Sequence, residues 1–261
     1  MKYGCFIALG ILLLPSVSGA AGIYVPSNLG YDVSYTTKVH PSDGFNFGIF
    51  SVTRGKAFTY NNRLVQQLSW ARFGSATAPT VYMNLNAPYG KTVAGHIGSP
   101  KNCPTRVPTV STTTEPTVCE GYNYGYNAAR DAYLFAKQSD LTSRIWWLDV
   151  EMANSWSRDT AVNDATIQGA IDYLNSQNAR VGIYSTERMW KTIAGASFVP
   201  IQVMNGVSFS TPNWLAIGIS NIVGAANACA AKKSFIPGSS LWLIQYVANS
   251  TAIDQDFACS D

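Results

Sequence analysis

The segment IWWLDVE, Ile145 to Glu151, constrains the chain more than any other. It is a short run of branched and aromatic residues that ends in two carboxyls. Such residues favour a β-strand, and a strand apolar on both faces is a buried one, typical of parallel sheets. Side chains alternate along a strand, so Asp149 and Glu151 project from one face, about 6.6 Å apart along the chain at a rise of about 3.3 Å per residue. Parallel α/β barrels build their active sites at the C-terminal ends of their strands, where these two acids fall. Repulsion and partial burial raise one carboxyl pKa and leave the other group ionised, which is what acid/base chemistry requires.

Other segments extend this pattern in both directions. Tyr31 to Tyr35, carrying Asp32, and Phe45 to Val52 read as strands. Leu64, Leu68 and Ala71 lie at helical spacing, and Pro79 to Asn86 is a third strand. A long Pro/Ser/Thr/Gly-rich loop runs from Ala87 to Glu120, and an amphipathic helix from Tyr122 to Ser139 leads into the acidic strand. A helix over 161–177 and a strand at Val181 to Ser185 follow, with two further strands at Asn213 to Ser220 and Ser240 to Val247. Alternation of strand and helix predicts parallel strands covered by helices, either a barrel or an open doubly wound sheet.

The N-terminus has the form of a secretory signal: Lys2, an apolar core from Cys5 to Leu14, and small residues at Ser18 and Ala20. The expected organisation is a signal peptide at 1–20 and one domain at 21–261, secreted and without stable membrane insertion. Four cysteines remain after cleavage, and an even count in an oxidising compartment predicts two disulfides. Of three connectivities, Cys103–Cys119 and Cys229–Cys259 are favoured, because the first brackets one loop and the second ties back the chain end. An Asn-x-Thr sequon spans Asn249 to Thr251. A formal charge of +3 with 13% charged residues points neither to nucleic acid nor to a steering field. A phosphate loop, a nucleophile elbow and an HExxH motif are all missing, and the only histidines are His40 and His96. No metal or cofactor is therefore expected.

Taken in order, GYDVSY, FGIFSVTRGKAF, WWLDVE, VGIYS, WLIQYV and AIDQD resemble the glycoside hydrolase family 25 lysozymes, secreted muramidases. The resemblance spans nearly the whole chain after the signal and implies a TIM-like βα-barrel. It also implies a retaining glycosidase acting on peptidoglycan or a related amino-sugar polymer. Glu151 matches the general acid/base, Asp149 its companion, Asp32 the first-strand acid and Asp254 the C-terminal acid, with Asp256 a poorer match. Tyr184 and Tyr246 match aromatic positions of the family; Tyr82, Trp214 and Gln245 complete the expected sugar contacts. The lack of an enzyme nucleophile in the family implies that the substrate acetamido group takes part, oriented by Asp149.

The chain departs from the family at Ser51 and Arg54, where a Lys and a Glu are usual, at Gly218, and in the cysteine-bearing loop. These departures leave a second reading, a non-catalytic carbohydrate-binding or effector protein on the same barrel. A family 18 chitinase would need acids at Arg144 and Trp147. A monomer is expected in either case.

Overall fold

The computed structural model describes residues 23–41, 44–75, 77–88, 96–104, 115–248 and 253–259. The expected signal and sequon lie outside them, as does part of the loop ahead of Glu120. Among the described residues, ten strands and five helices follow in the order β1 (Leu29–Val33), β2 (Phe47–Ser51), α1 (Leu64–Gly74), β3 (Thr80–Asn84), α2 (Val118–Lys137), β4 (Ile145–Asp149), α3 (Thr160–Ser176), β5 (Arg180–Ser185), α4 (Glu187–Ile193), β6 (Ile201–Met204), β7 (Val207–Ser210), β8 (Asn213–Ile219), α5 (Ile222–Ala230), β9 (Leu241–Val247) and β10 (Asp254–Ala258).

Eight of the strands close into a barrel in the order β1-β2-β3-β4-β5-β8-β9-β10. Neighbours are parallel except at β10, which runs antiparallel to both β9 and β1. The closed form decides between the two architectures that alternation allows. It remains an irregular barrel: among the described residues no helix joins β1 to β2, and a hairpin of β6 and β7 stands outside the ring between β5 and β8.

The register sorts each strand into an inner and an outer face. Phe47, Ile49, Tyr82, Ile145, Trp147, Trp214, Leu243 and Ala258 fill the interior, while Phe50, Val81, Met83, Trp146, Leu148, Val181, Ile183 and Ile244 meet the helices. Burial on both faces is why β4 is apolar at every position up to its terminal acid. Tyr24 plugs the end of the barrel where the parallel strands begin; its hydroxyl donates to Thr80 Oγ1 (2.9 Å) and accepts from Trp147 Nε1 (2.9 Å). Room for the Trp147 indole comes from Gly182 on the neighbouring strand, where a Cβ would sit 2.2 Å from the ring.

Helix termini follow local chemistry. Thr117 and Glu120 form a capping box at α2, and Asp159, Thr186 and Asn221 cap α3, α4 and α5. Both expected disulfides are present. Cys103–Cys119 ties the loop to the first turn of α2, and Cys229–Cys259 ties α5 to the residue after β10. Among the described residues no helix is long and apolar enough to cross a membrane.

Candidate active site

At the end of the barrel where the parallel strands finish, the inner-face side chains run out of apolar partners and turn polar. A cleft of about 230 Å³ opens there, lined by Asp32, Tyr82, Asn84, Asp149, Glu151, Tyr184, Trp214, Gln245 and Asp254, with Ser34, Tyr35 and Gly55 on its rim. All four acids named from the sequence meet in it. Asp32 is the penultimate residue of β1 and Asp149 the last of β4, with Glu151 two residues on. Asp254 reaches the same mouth because β10 is antiparallel: its first residue lies beside Asp32, at the end where its neighbours terminate. Two residues further along β10, Asp256 points into the barrel below the cleft, fully buried, and its Oδ1 accepts from Trp214 Nε1 at 2.8 Å.

Hydrogen bonds tie these groups together in two sets. Tyr184 Oη donates to Gln245 Oε1 (2.9 Å), and Gln245 Nε2 donates to Asp32 Oδ2 (2.9 Å). On the other side Asn84 Nδ2 donates to Asp149 Oδ2, while Thr53 Oγ1 donates to Asn84 Oδ1 (2.8 Å) and accepts from the Asn84 backbone N–H (2.8 Å). Asp149 and Glu151 are close enough to interact, and their interaction makes Asp149 harder to ionise and Glu151 easier. The Glu151 carbonyl accepts from Trp156 Nε1 (2.8 Å), which fixes the backbone beyond β4.

Electrostatics follow from this crowding. Burial, then the neighbouring Asp254, pushes Asp32 well above the usual carboxylate range, and the Gln245 hydrogen bond opposes the shift. Burial and then Glu151 raise Asp149 in the same way, with Asn84 opposing. Glu151 and Asp254 are also raised, chiefly by burial. Among the described residues no Lys, Arg or His lines the cleft. The carboxyls therefore relieve their repulsion by holding protons, and a proton donor is available at a pH where free carboxyls are ionised. Among the described residues no three His, Cys, Asp or Glu side chains are grouped so as to hold a metal ion.

Of the five residues expected to contact sugar, Tyr82, Tyr184, Trp214 and Gln245 line the cleft. Trp214 is only 1% exposed and packs edge-on against Tyr184, Tyr82 and Trp147, so it shapes the floor rather than presenting a face. Tyr246 is a correction. It follows Gln245 on β9 and so points outward, into the core between barrel and helices. Arg54 is exposed and absent from the lining, whereas Ser51 is buried on the inner face of β2 with its hydroxyl donating to the Thr53 carbonyl (2.7 Å). The charge change at position 54 therefore does not enter the cleft.

Reading the sequence missed Asn84, Thr53 and the depth of Asp256. Asn84 could have been found, since it stands two residues beyond Tyr82 on the same strand and shares its face.

A family model described as lysozyme-like protein 1 matches residues 108–204. No curated protein matches the chain. Three solved structures share its fold. A bacterial lysozyme from Streptomyces coelicolor is 15% identical, with 91% of this chain and 94% of that one covered and a TM-score of 0.53. A family GH25 lysozyme from Aspergillus fumigatus is 14% identical, with 90% and 94% covered and a TM-score of 0.55. The modular Cpl-1 endolysin, solved with a peptidoglycan analogue, is 15% identical, with 91% of this chain and 56% of that one covered and a TM-score of 0.51. The chain thus has the irregular barrel of the GH25 lysozymes.

Proposed function

We propose that the chain is a secreted glycoside hydrolase that cleaves peptidoglycan or a related N-acetylhexosamine polymer, with Glu151 as general acid/base. The observation that carries this reading is the meeting of Glu151, Asp149, Asp32 and Asp254 in one cleft at the barrel mouth, with no cation lining it among the described residues. The GH25 fold, the lysozyme-like family match and the peptidoglycan analogue bound by the endolysin support the choice of substrate. Two disulfides agree with an oxidising compartment.

Glu151 protonates the glycosidic oxygen as its bond to the anomeric carbon breaks. The acetamido oxygen of the same sugar closes on that carbon, and an oxygen of Asp149 accepts the acetamido N–H and offsets its growing positive charge. Glu151, now ionised, takes a proton from water as the water adds to the anomeric carbon and the acetamido oxygen leaves it, restoring the acetamide, so the configuration is retained. Asp32 and Asp254 keep the surroundings negative, which favours both the protonated acid and the oxocarbenium-like transition state. Tyr82, Tyr184 and Gln245 place polar tips and ring edges at the cleft wall, where they orient the sugar.

The test is incubation of the purified protein and its Glu151→Gln variant with bacterial peptidoglycan and with chitin, reading soluble fragments by mass spectrometry. Fragments ending in N-acetylmuramic acid, absent with the variant, are expected. Tight binding to muropeptides or chitooligomers with no new reducing ends would replace this reading by the carbohydrate-binding one.

A further inference from the structure

Four carboxyls face the cleft, and among the described residues no cation lines it to balance them. Arg54 and Lys56 flank Gly55 at the rim, but both are exposed and neither lines the cleft. The acids differ in what they already hold. Asp32 accepts from Gln245 Nε2 (2.9 Å) and Asp149 from Asn84 Nδ2, and both acids are buried. Asp254 is half-buried at the open end of the β1–β10 seam, in register with Asp32, and among the described residues no side chain donates to its carboxyl. Deeper in the same wall, Asp149 Oδ1 is also without a donor among the described residues, although Asp149 is only 4% exposed. The cleft thus offers acceptors in excess of donors at two levels, at its floor and at its mouth, and the acids are not grouped so as to hold a metal ion. Donors and positive charge are then left for the ligand to bring.

We infer that the cleft selects amino-sugar polymers that are partly de-N-acetylated, with Asp254 receiving the free ammonium of the ring next to the one that reacts. In such a polymer, loss of an acetyl group turns a neutral amide with one N–H into an ammonium with three N–H donors and a full charge. The reacting ring keeps its acetamido group, whose N–H goes to the deeper Asp149. Asp254 stands nearer the mouth, where the neighbouring ring enters, and a charge-assisted hydrogen bond from its ammonium supplies what no side chain lining the cleft does. The inference rests on the hydrolase reading for which ring reacts, but the preference is one of binding and can be measured without turnover. Position 51 allows the charge balance to be altered from within. Ser51 is the last residue of β2 and shares the inner face with Phe47 and Ile49, which makes it that strand's inward position nearest the mouth, in register with Tyr82 of the cleft wall.

The test is calorimetric titration of the Glu151→Gln variant, used so that binding is read without turnover, with chitotetraose and with tetramers de-N-acetylated at a single ring. The isomer that sets its amine against Asp254 should bind roughly tenfold more tightly than the fully acetylated tetramer, as expected for one hydrogen bond to a charged group, and the difference should shrink as salt is raised. Equal or weaker binding of every de-N-acetylated isomer overturns the inference, whether or not wild type cleaves anything. Adding Asp254→Asn to the Glu151→Gln variant should abolish the preference, and a preference kept in full would show that Asp254 is not the receiver. Should that double variant fail to fold, Ser51→Lys in the same background replaces it: an ammonium supplied by the protein should cut the preference, and an undiminished one overturns the inference. A preference that stands while wild type releases no fragments from chitin, peptidoglycan or a de-N-acetylated polymer would sink the hydrolase reading alone.

Discussion

Replacing Asp256 by Asn should make the protein more resistant to unfolding as the pH rises toward neutrality. Asp256 is fully buried in the barrel, with Asp32 and Asp254 nearby and a single hydrogen bond, from Trp214 Nε1. Burial, then Asp32, pushes its carboxyl well above the usual range. The folded state therefore holds this proton more tightly than the unfolded chain does. Below the ordinary carboxylate pKa both states are protonated and the group is neutral in its effect. Above it the unfolded chain releases the proton and the folded protein does not, so stability falls with rising pH until the folded-state pKa is passed. The slope for one carboxyl is about 1.4 kcal/mol per pH unit. For a domain of this size that corresponds to roughly 3–6 °C in Tm per pH unit. Asn has the shape of the protonated acid and can still accept from Trp214 through Oδ1, so the variant should lack this slope. The assay is calorimetric unfolding of both proteins from below pH 4 to pH 7, where the two Tm curves should meet at the acidic end and diverge upward. Parallel curves would refute the claim that Asp256 is held neutral.

Two other perturbations test the frame of the barrel. Gly182→Ala would place a methyl 2.2 Å from the Trp147 ring, between strands that cannot separate, and should cost on the order of 1–3 kcal/mol or more, read as a lower denaturation midpoint at unchanged m-value. A double Cys229→Ala, Cys259→Ala variant opens a bridge spanning 30 residues and should lose about 3–4 kcal/mol on the loop-entropy model, checked by urea denaturation against wild type.

Much of this protein is local and was legible in the chain. The two-sided apolar run fixes β4 as a buried strand, and the two-residue spacing alone places Asp149 and Glu151 on one face. Periodicity located α1, α2 and α3 to within a few residues, and the spacing of four cysteines singled out the bridges that form. The β6–β7 hairpin was legible too and was overlooked. Asn205 and Gly206, with φ of 51° and 76°, are the residues a tight hairpin turn demands. Gln245 and Tyr246, both named as sugar contacts, could never have shared a face, though which of them looks inward depends on closure of the ring.

Tertiary structure decided what depends on distant partners. Asp32 and Asp254 are brought side by side across the β1–β10 seam by barrel closure and by the reversal of the last strand, which no local pattern announces. The same closure sinks Asp256 below the cleft, sets Trp214 in its floor, and brings Thr53, just past β2, to Asn84 and Asp149 at the ends of β3 and β4. Side-chain period and propensity belong to a stretch of chain, whereas burial and the pKa shifts it causes belong to whatever the fold packs around each group.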